Sequence, residues 1–279
     1  MYNNRAAYFL LAPAIAFLII FSLLPVLMVI ALSLFKTNYM TWEFVGIGNY
    51  LKIIKGSYGP IIINSFLYVI IIVIGCNGFG LFICLLIVNM NKWLQDAVRF
   101  VFYIPCFTVG IIISLVWKWI FNPSTGVMNY IIGLVGFEPI IWFGNRFTAI
   151  IAVSLSIIIV GMGTNLIIYL SAVLSIDKSI YDSALIDGAS WNQIKMKIII
   201  PIIAPTIYIL TLFGVIGGFQ MWETIFILSP ITTAYNLMYD SYSTAFRFSH
   251  YGLGSAKSIT LMIIIFIVAI IKQKAEREI

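Results

Sequence analysis

Charged side chains are scarce in this sequence of 279 residues: Asp, Glu, Lys and Arg together make up 9% of it. A soluble domain carries roughly 25%. Hydrophobic residues make up 62%, and the mean hydropathy is +1.08. This composition indicates an integral membrane protein. The formal net charge is +6, with the basic residues in the connecting segments, which suits anionic lipid headgroups better than nucleic acid.

Residues that commonly bind metals or perform catalysis are also few. The three cysteines, Cys76, Cys84 and Cys106, lie inside apolar runs without metal-type spacing, and no pair falls in an external loop. Neither zinc nor a structural disulfide is therefore predicted. The single histidine, His250, lies beside Tyr251 in a connecting segment, where a solvated or interfacial role is favoured over catalysis. No serine, cysteine or carboxylate constellation indicates a hydrolase, so we predict no catalytic residue, no metal site and no enzyme.

The sequence also lacks an energy source of its own. No Gly-x-x-x-x-Gly-Lys-Ser/Thr phosphate loop occurs, so the chain is not expected to bind ATP in the usual way. Ionisable residues are absent from the middle of the apolar runs, where each costs roughly 2.5–3.5 kcal/mol and persists only for function. Active transport would then depend on a partner. An ion-coupled secondary transporter or channel acting without an ATPase is the alternative, and an enzyme acting within the membrane is another.

What the sequence has in abundance is long apolar runs. Crossing the hydrocarbon core takes about 20 residues, and only helices satisfy their own backbone polar groups there at this length. The predicted spans are 6–35, 61–90, 100–121, 147–172, 201–221 and 252–271. The first is too long for a signal peptide and lacks a clear small-residue cleavage site, so a retained helix is expected. The prediction is an all-α integral membrane protein with one transmembrane domain, 1–279.

Six spans place both termini on one side of the membrane. If that side is the cytoplasm, it holds nine of the 16 basic residues and the opposite side holds seven. The inner segments are shorter, so their density of basic residues is higher, as the positive-inside rule requires. We expect a multi-pass protein of the bacterial cytoplasmic membrane with both termini cytoplasmic.

Charged and amide side chains gather beside a glycine in the stretch 177–200. Asp177 is placed to cap a short helix that ends at Gly188, a natural left-handed stop. Ser190 then begins a second helix, and Gln193 completes a capping-box pattern. The pattern predicts helix, glycine turn and helix on the membrane surface. An ordinary polar loop between two spans would share these local features.

The same stretch resembles the signature loop of permease subunits in binding-protein-dependent ABC importers. That signature is Glu-Ala-Ala, three residues, Gly, nine residues, then Ile-x-Leu-Pro. The matching positions keep the spacing and are Asp182, Ser183, Ala184, Gly188, Ile198, Ile200 and Pro201. Three of them depart conservatively, with Asp for Glu, Ser for Ala and Ile for Leu.

The resemblance implies that 177–200 forms the coupling helices, between spans four and five, that dock into a cleft on an ATPase subunit. The residues expected at this contact are Asp182, Ser183, Ala184, Leu185, Asp187, Gly188, Ile198 and Pro201. The shorter Asp182 leaves open whether the usual carboxylate contact keeps its geometry. The resemblance further implies a second permease subunit in a heterodimer, two ATPase copies that bind ATP and Mg, and an extracytoplasmic substrate-binding protein. No cofactor is expected on this chain.

A second resemblance suggests the substrate class. A Phe-Val-Gly-x-x-Asn-Tyr phrase after the first span is similar to that of the first permease in maltose- or glycerol-phosphate-type importers. Its positions here are Phe44, Val45, Gly46, Asn49 and Tyr50. It implies a sugar or related carbohydrate, with the lipid bilayer as surroundings and no nucleic acid as partner.

Polar residues near the membrane interior are candidates for the substrate pathway, because sugars need hydrogen-bonding side chains and flat aromatic surfaces. Thr164 and Asn165 follow two glycines in the fourth run, and Gln220, Trp222 and Glu223 end the fifth. Maltose-type permeases resemble this arrangement, with polar residues toward the end of the fifth span. Hydrogen bonding between helices of the assembly is the alternative explanation.

Lys257 has two possible roles. It lies about one turn inside the sixth run, from where its ammonium can snorkel to the headgroups. A lysine that faced the transport cavity would instead favour an anionic solute.

Overall fold

The computed structural model describes residues 4–56, 58–108, 110–228 and 230–277. The all-α prediction is confirmed: in these ranges the one sheet is an antiparallel pair, β1 (Phe35–Thr37) and β2 (Trp42–Phe44). The helices are α1 (Asn4–Leu18), α2 (Leu24–Ser33), α3 (Gly48–Lys55), α4 (Gly59–Ile87), α5 (Lys92–Tyr103), α6 (Gly110–Ile120), α7 (Val127–Leu134), α8 (Arg146–Leu174), α9 (Lys178–Ile186), α10 (Trp191–Ile194), α11 (Ile200–Ile202), α12 (Ala204–Gln220), α13 (Glu223–Leu228), α14 (Leu237–Tyr242) and α15 (Tyr251–Arg277).

Short π-helical and 3-10 turns connect some of these helices. The π-helical turns are Ile19–Leu23, Lys195–Ile199 and Ser243–Arg247, and the 3-10 turns are Ile104–Phe107 and Thr232–Ala234. The π turn between α1 and α2 keeps the first apolar run helical from Asn4 to Ser33.

Among the described residues, four continuous helical stretches are long and apolar enough to cross a membrane. They are Leu10–Ser33, Gly59–Ile87, Arg146–Leu174 and Tyr251–Lys274. Two bent pairs pass the same test when each is taken together, namely Lys92–Phe107 with Gly110–Ile120 and Trp191–Ile202 with Ala204–Gln220. The described chain therefore has six spans if each bent pair counts as one.

The bends fall where proline interrupts the helical hydrogen bonding. The run predicted at 100–121 begins instead at Lys92, passes through a 3-10 turn that contains Pro105, and bends by 100° before α6. Helical structure before the fifth span begins at Trp191 and bends by 64° between α11 and α12, with Pro201 and Pro205 on either side. Proline lacks the N–H that the helix ladder needs and clashes with the carbonyl four residues before it.

The residues group into two compact units. One contains the described residues up to Tyr58 together with Asp240–Ile264, and the other contains Gly59–Tyr239 with the described residues from Ile265 on. In the first unit, buried Asn49 donates from Nδ2 to the carbonyls of Ser33 at 2.9 Å and Phe35 at 2.8 Å. The Asn-Tyr part of the resemblance phrase thus has a structural role, because Asn49 ties α3 to the end of α2.

In the second unit, α4 packs against α8 and α12. Small residues permit this close packing, as the glycine-containing runs indicate. A Cβ on Gly75 of α4 would overlap Ile158 of α8, and one on Gly218 of α12 would lie 3.1 Å from a methyl group of Val69 on α4. A buried apolar cluster continues from α4 and α8 to the α10 region through Ile194. The segment that follows the fourth span therefore packs against the core of the second unit.

Candidate functional site

The segment α9–α10 has the helix, glycine turn and helix that its capping residues predict. Asp177 accepts a hydrogen bond from the backbone N–H of Ser179 at 2.8 Å. That bond, followed by the Ser179 side chain, holds the pKa of Asp177 below its ordinary value. Gly188 has a φ of +80°, and the capping box between Ser190 and Gln193 is present. These local predictions are confirmed.

One side of α9 faces the core of its unit. Tyr181 and Ala184 pack against the apolar cluster, and the Tyr181 hydroxyl donates to the Val173 carbonyl at 3.2 Å. Partial burial raises the pKa of Tyr181. Ala184, expected at the ATPase contact, is half-buried and part of its surface packs within this chain.

The other side of α9 is exposed. The expected contact residues that lie on it are Asp182, Ser183 and Leu185, and Asp187 and Gly188 are exposed directly after the helix. Ile186 is 85% exposed, which makes it one of the most exposed large apolar side chains of the chain. Sequence reasoning did not single out Ile186, although an isoleucine directly before an Asp-Gly helix end was a visible signal.

The last positions of the signature lie elsewhere. Ile198 belongs to a π-helical turn and packs against the apolar cluster, so its contacts are within this chain. Pro201 is exposed in α11, immediately before the bend into α12. The signature thus divides into an exposed first half on α9 and a second half that shapes the entry into the fifth span.

An apolar groove of about 390 Å³ lies beside α9. Val88, Val173 and Trp191 contribute to its lining, and Lys178 and Asp182 place opposite charges in it.

The candidate pathway residues fall into two groups. On α8, exposed Thr164 contacts the Cys106 sulfur through Oγ1 at 3.3 Å. Asn165 donates from Nδ2 to Asn77 Oδ1 at 3.2 Å, and the Tyr169 hydroxyl donates to the same oxygen at 2.6 Å. Hydrogen bonding between helices therefore accounts for Asn165, and Asn77 and Tyr169 complete a network that sequence reasoning did not foresee.

The second group lies where α12 ends and α13 begins. Gln220 and Glu223 are exposed, whereas Trp222 is half-buried with its ring centroid 6.2 Å from that of Phe226. The Glu223 carboxylate lies beside Gly110, since a Cβ built on that glycine would be 3.6 Å from Oε2. Gly110 begins α6, and a negative charge near a helix N-terminus is favourable.

Lys257 neither snorkels nor faces an open cavity. Its side chain is 3% exposed, and Nζ lies 2.6 Å from Asp240 Oδ2. It also donates to Thr244 Oγ1 at 2.6 Å and lies 4.5 Å from the centroid of the Tyr58 ring. Both expected roles for Lys257 required an ammonium that water or a solute could reach. The ammonium is buried, so neither role fits this structure. Asp240, 15% exposed, is a partner that the sequence analysis did not identify.

The residue types for metal chemistry do not converge. In the ranges that the structure describes, no group of three His, Cys, Asp or Glu could hold a metal ion. Cys76 and Cys84 are buried and Cys106 is half-buried, each as a free thiol.

Comparison with known proteins identifies the family. Residues 76–279 match the family described as binding-protein-dependent transport system inner membrane component. The chain belongs to this family. It is the membrane permease component of an ABC importer rather than an enzyme, and a secondary transporter acting alone is not favoured. The family also makes it a multi-pass inner membrane protein.

Named relatives cover almost the whole permease. It is 27% identical to the arabinooligosaccharides transport system permease protein AraP of Halalkalibacterium halodurans, over 94% of this chain and 85% of that one. It is 26% identical to the lactose transport system permease protein LacF of Rhizobium radiobacter, over 99% and 96%.

A solved structure shares the fold. The bacterial alginate ABC transporter, crystallised in complex with an alginate pentasaccharide-bound periplasmic protein, contains a chain that superimposes with a TM-score of 0.86. The match covers 99% of this permease and 95% of that chain at 20% identity.

Proposed function

We propose that this permease is one of two membrane subunits of a carbohydrate importer and that α9 is its docking site for an ATPase subunit. The similarity to AraP and LacF, which are named as arabinooligosaccharide and lactose transport proteins, supports a sugar or related carbohydrate as the transported solute. The permease would form half of the translocation pathway, and the second, related permease would form the other half.

The energy source in this proposal lies outside the chain. Two copies of an ATPase would bind ATP and Mg, and an extracytoplasmic substrate-binding protein would deliver the solute. The orientation with both termini in the cytoplasm is part of the proposal, because it puts 177–200 on the side where ATP is available. The higher density of basic residues in the inner segments supports that orientation.

The exposed apolar end of α9 is the observation that carries the docking assignment. Ile186 and Leu185 are 85% and 43% exposed beside the carboxylates of Asp182 and Asp187. Exposed apolar side chains that are rimmed by polar ones are typical of a protein contact. The left-handed turn at Gly188 leaves this end free of bulk.

The opposite face of α9 explains how docking would reach the spans. Tyr181 and Ala184 contact the cluster that includes Leu170 and Val173 of α8. Close-packed interiors transmit a displacement rather than absorb it. A pull on α9 when the ATPase subunits close would therefore move α8 and the bent entry to α12.

The pathway itself is proposed to pass the exposed polar side chains of the second unit. These are Thr164, Gln220 and Glu223, with Trp222 as an adjoining aromatic surface. Asn165 is excluded from this set because its amide is bonded to Asn77. Lys257 is excluded because its buried ammonium is bonded to Asp240 and Thr244.

Cysteine crosslinking tests the docking face. In a variant whose three native cysteines are replaced by alanine, Asp182→Cys and Ile186→Cys should each crosslink to the ATPase subunit of the assembled complex. Val173→Cys is the buried control, because Val173 is 1% exposed within the apolar cluster and should not react. Assembled complexes in which neither 182 nor 186 crosslinks would contradict the docking assignment.

A further inference from the structure

A cationic cavity of about 310 Å³ lies in the unit that contains the first span. Three separate parts of the chain supply its basic side chains: Lys36 on β1, Lys52 on α3 and His250 before α15. None of the described residues that line it is an aspartate or glutamate. In a chain with 9% charged residues, this convergence points to an anionic ligand.

The framework of the cavity is fixed before any ligand arrives. Asn49, 1% exposed, bonds the carbonyls of Ser33 and Phe35 on either side of the turn into β1. Asn38 accepts hydrogen bonds from the backbone N–H groups of Met40 and Thr41 at 3.0 and 2.8 Å. Lys36 therefore projects from a hairpin that is anchored at the start of β1 by Asn49 and at its turn by Asn38.

One carboxylate competes for this cavity from outside its lining. Glu43, opposite Lys36 in the hairpin, lies 3.3 Å from its ammonium, and both side chains are 65% exposed. Exposed pairs of this kind contribute little to stability. An arriving anion that also reaches Lys52 can displace Glu43.

An apolar groove of about 360 Å³ adjoins the same hairpin. Its lining includes Met28 and Leu32 at the end of the first span and Phe35, Tyr39 and Trp42 of the hairpin. Phe35 precedes Lys36 directly, so adjacent residues line an apolar groove and a cationic cavity. Tyr39 and Trp42 are each 55% exposed, as aromatic side chains are at the interface of a bilayer.

We propose that these two features together bind an anionic phospholipid. The phosphate occupies the cavity between Lys36 and Lys52, with His250 at its edge, and an acyl chain lies in the groove along Leu32 and Trp42. Lysines bind phosphate as point charges, and each basic group near a membrane surface adds to the affinity for anionic lipid. A free phosphate would satisfy the cavity alone and would leave the groove unused.

Lipid binding to the full-length permease in mild detergent tests the proposal, with bound lipid counted by native mass spectrometry. Phosphatidylglycerol should bind more tightly than phosphatidylcholine with the same acyl chains. The double substitution Lys36→Gln with Lys52→Gln should weaken phosphatidylglycerol binding by about tenfold or more. Lys55→Gln is the matched control, since Lys55 is exposed on α3 but does not line the cavity, and it should weaken binding much less than the double variant does.

Two further probes separate the sources of phosphate. Trp42→Ala should weaken phosphatidylglycerol binding, and millimolar inorganic phosphate should fail to displace the lipid. Displacement by inorganic phosphate, with Trp42→Ala binding unchanged, would assign the cavity to a soluble phosphate and overturn the lipid. Equal binding of both lipids, or full binding by the double variant at an unchanged unfolding temperature, would overturn the site itself. None of these readouts depends on the ATPase contact of α9.

Discussion

The α9 segment and the Asp240–Lys257 pair both concentrate charge in a chain that has little of it, under opposite conditions of solvation. Asp182 and Asp187 are exposed beside a glycine turn, and water screens them. Lys257 is 3% exposed and is held by a carboxylate and a hydroxyl, each at 2.6 Å, beneath the Tyr58 ring. Charge at the surface is free to meet a partner molecule. Charge in the interior is already committed to a partner in the same chain.

The cost of disturbing the two regions should differ accordingly. Removing an exposed charge changes what the protein can bind, with little effect on folding. Removing half of a buried pair leaves an uncompensated charge without water.

Lys257→Met should destabilise the permease most, by about 3–5 kcal/mol, because it leaves the Asp240 carboxylate buried and unpaired. Thermal or denaturant unfolding in detergent measures this. The double variant with Asp240→Leu removes both charges and should recover most of the loss, since apolar replacements of buried pairs are often neutral or stabilising. If the double variant is as unstable as Lys257→Met, the pair does not act as a unit.

Gly188→Val should leave membrane insertion intact and abolish substrate-stimulated ATP hydrolysis in the reconstituted complex. Gly188 has a φ of +80°, where a β-branched side chain costs on the order of 1–2 kcal/mol. A Cβ built there has open space around it, so apart from this backbone cost the added bulk is expected to obstruct a docking partner.

Gly188→Asn is the matched control, because asparagine tolerates the left-handed conformation. It should retain more stimulation than valine. Normal stimulation in Gly188→Val would remove the coupling assignment from this turn.

These two predictions differ in how far the sequence could support them. The caps at Asp177 and Ser190 and the stop at Gly188 depend on residues at most three positions apart, so pattern alone identified them. The spans could be predicted from the sequence equally well, because a run of about 20 apolar residues is the length needed to cross a membrane. Asp240 and Lys257 are 17 positions apart, and nothing local to either residue signals the other.

Two other features were missed for related reasons. Asn77, Asn165 and Tyr169 form their network only because α4 and α8 lie side by side, which a single sequence does not specify. The bend after Pro105 follows a known property of proline, yet apolar composition on both sides of it suggested one straight span. Local chemistry was predictable here, and pairing between helices was not.

Gln220→Ala and Glu223→Ala test whether exposed polarity within the second unit serves transport. Both side chains are exposed and are proposed to line the pathway. Each substitution should therefore reduce carbohydrate uptake by intact cells, and because neither side chain is buried the complex should still assemble. Asn165→Ala is the informative contrast: loss of its hydrogen bond to Asn77 should lower the unfolding temperature. Wild-type uptake in both single variants and in their double variant would place the pathway elsewhere.

Asp177→Ala should have the smallest effect on the protein. It tests what a single exposed charge contributes, in contrast to the buried charge of Lys257. The Asp177 carboxylate accepts the N–H of Ser179, and this bond lowers its pKa in the folded protein. A depressed folded pKa means that the stabilisation is present above the ordinary pKa and is lost as the pH falls through the folded value. Removing the side chain should speed hydrogen exchange of the first amides of α9 at neutral pH, leaving the core of the spans unchanged.

Asp177→Asn separates the cap from the charge. Asparagine caps a helix about as well as aspartate but does not titrate in this range. The protection factors of its first α9 amides, relative to intrinsic exchange at each pH, should therefore stay near wild type and should not fall on acidification. In the aspartate form, protection of α9 should decline on acidification, and the alanine variant should show no such decline. If alanine and aspartate exchange alike at neutral pH, the α9 helix is held by its packing against the apolar cluster, and the cap that the sequence displays so plainly contributes little to it.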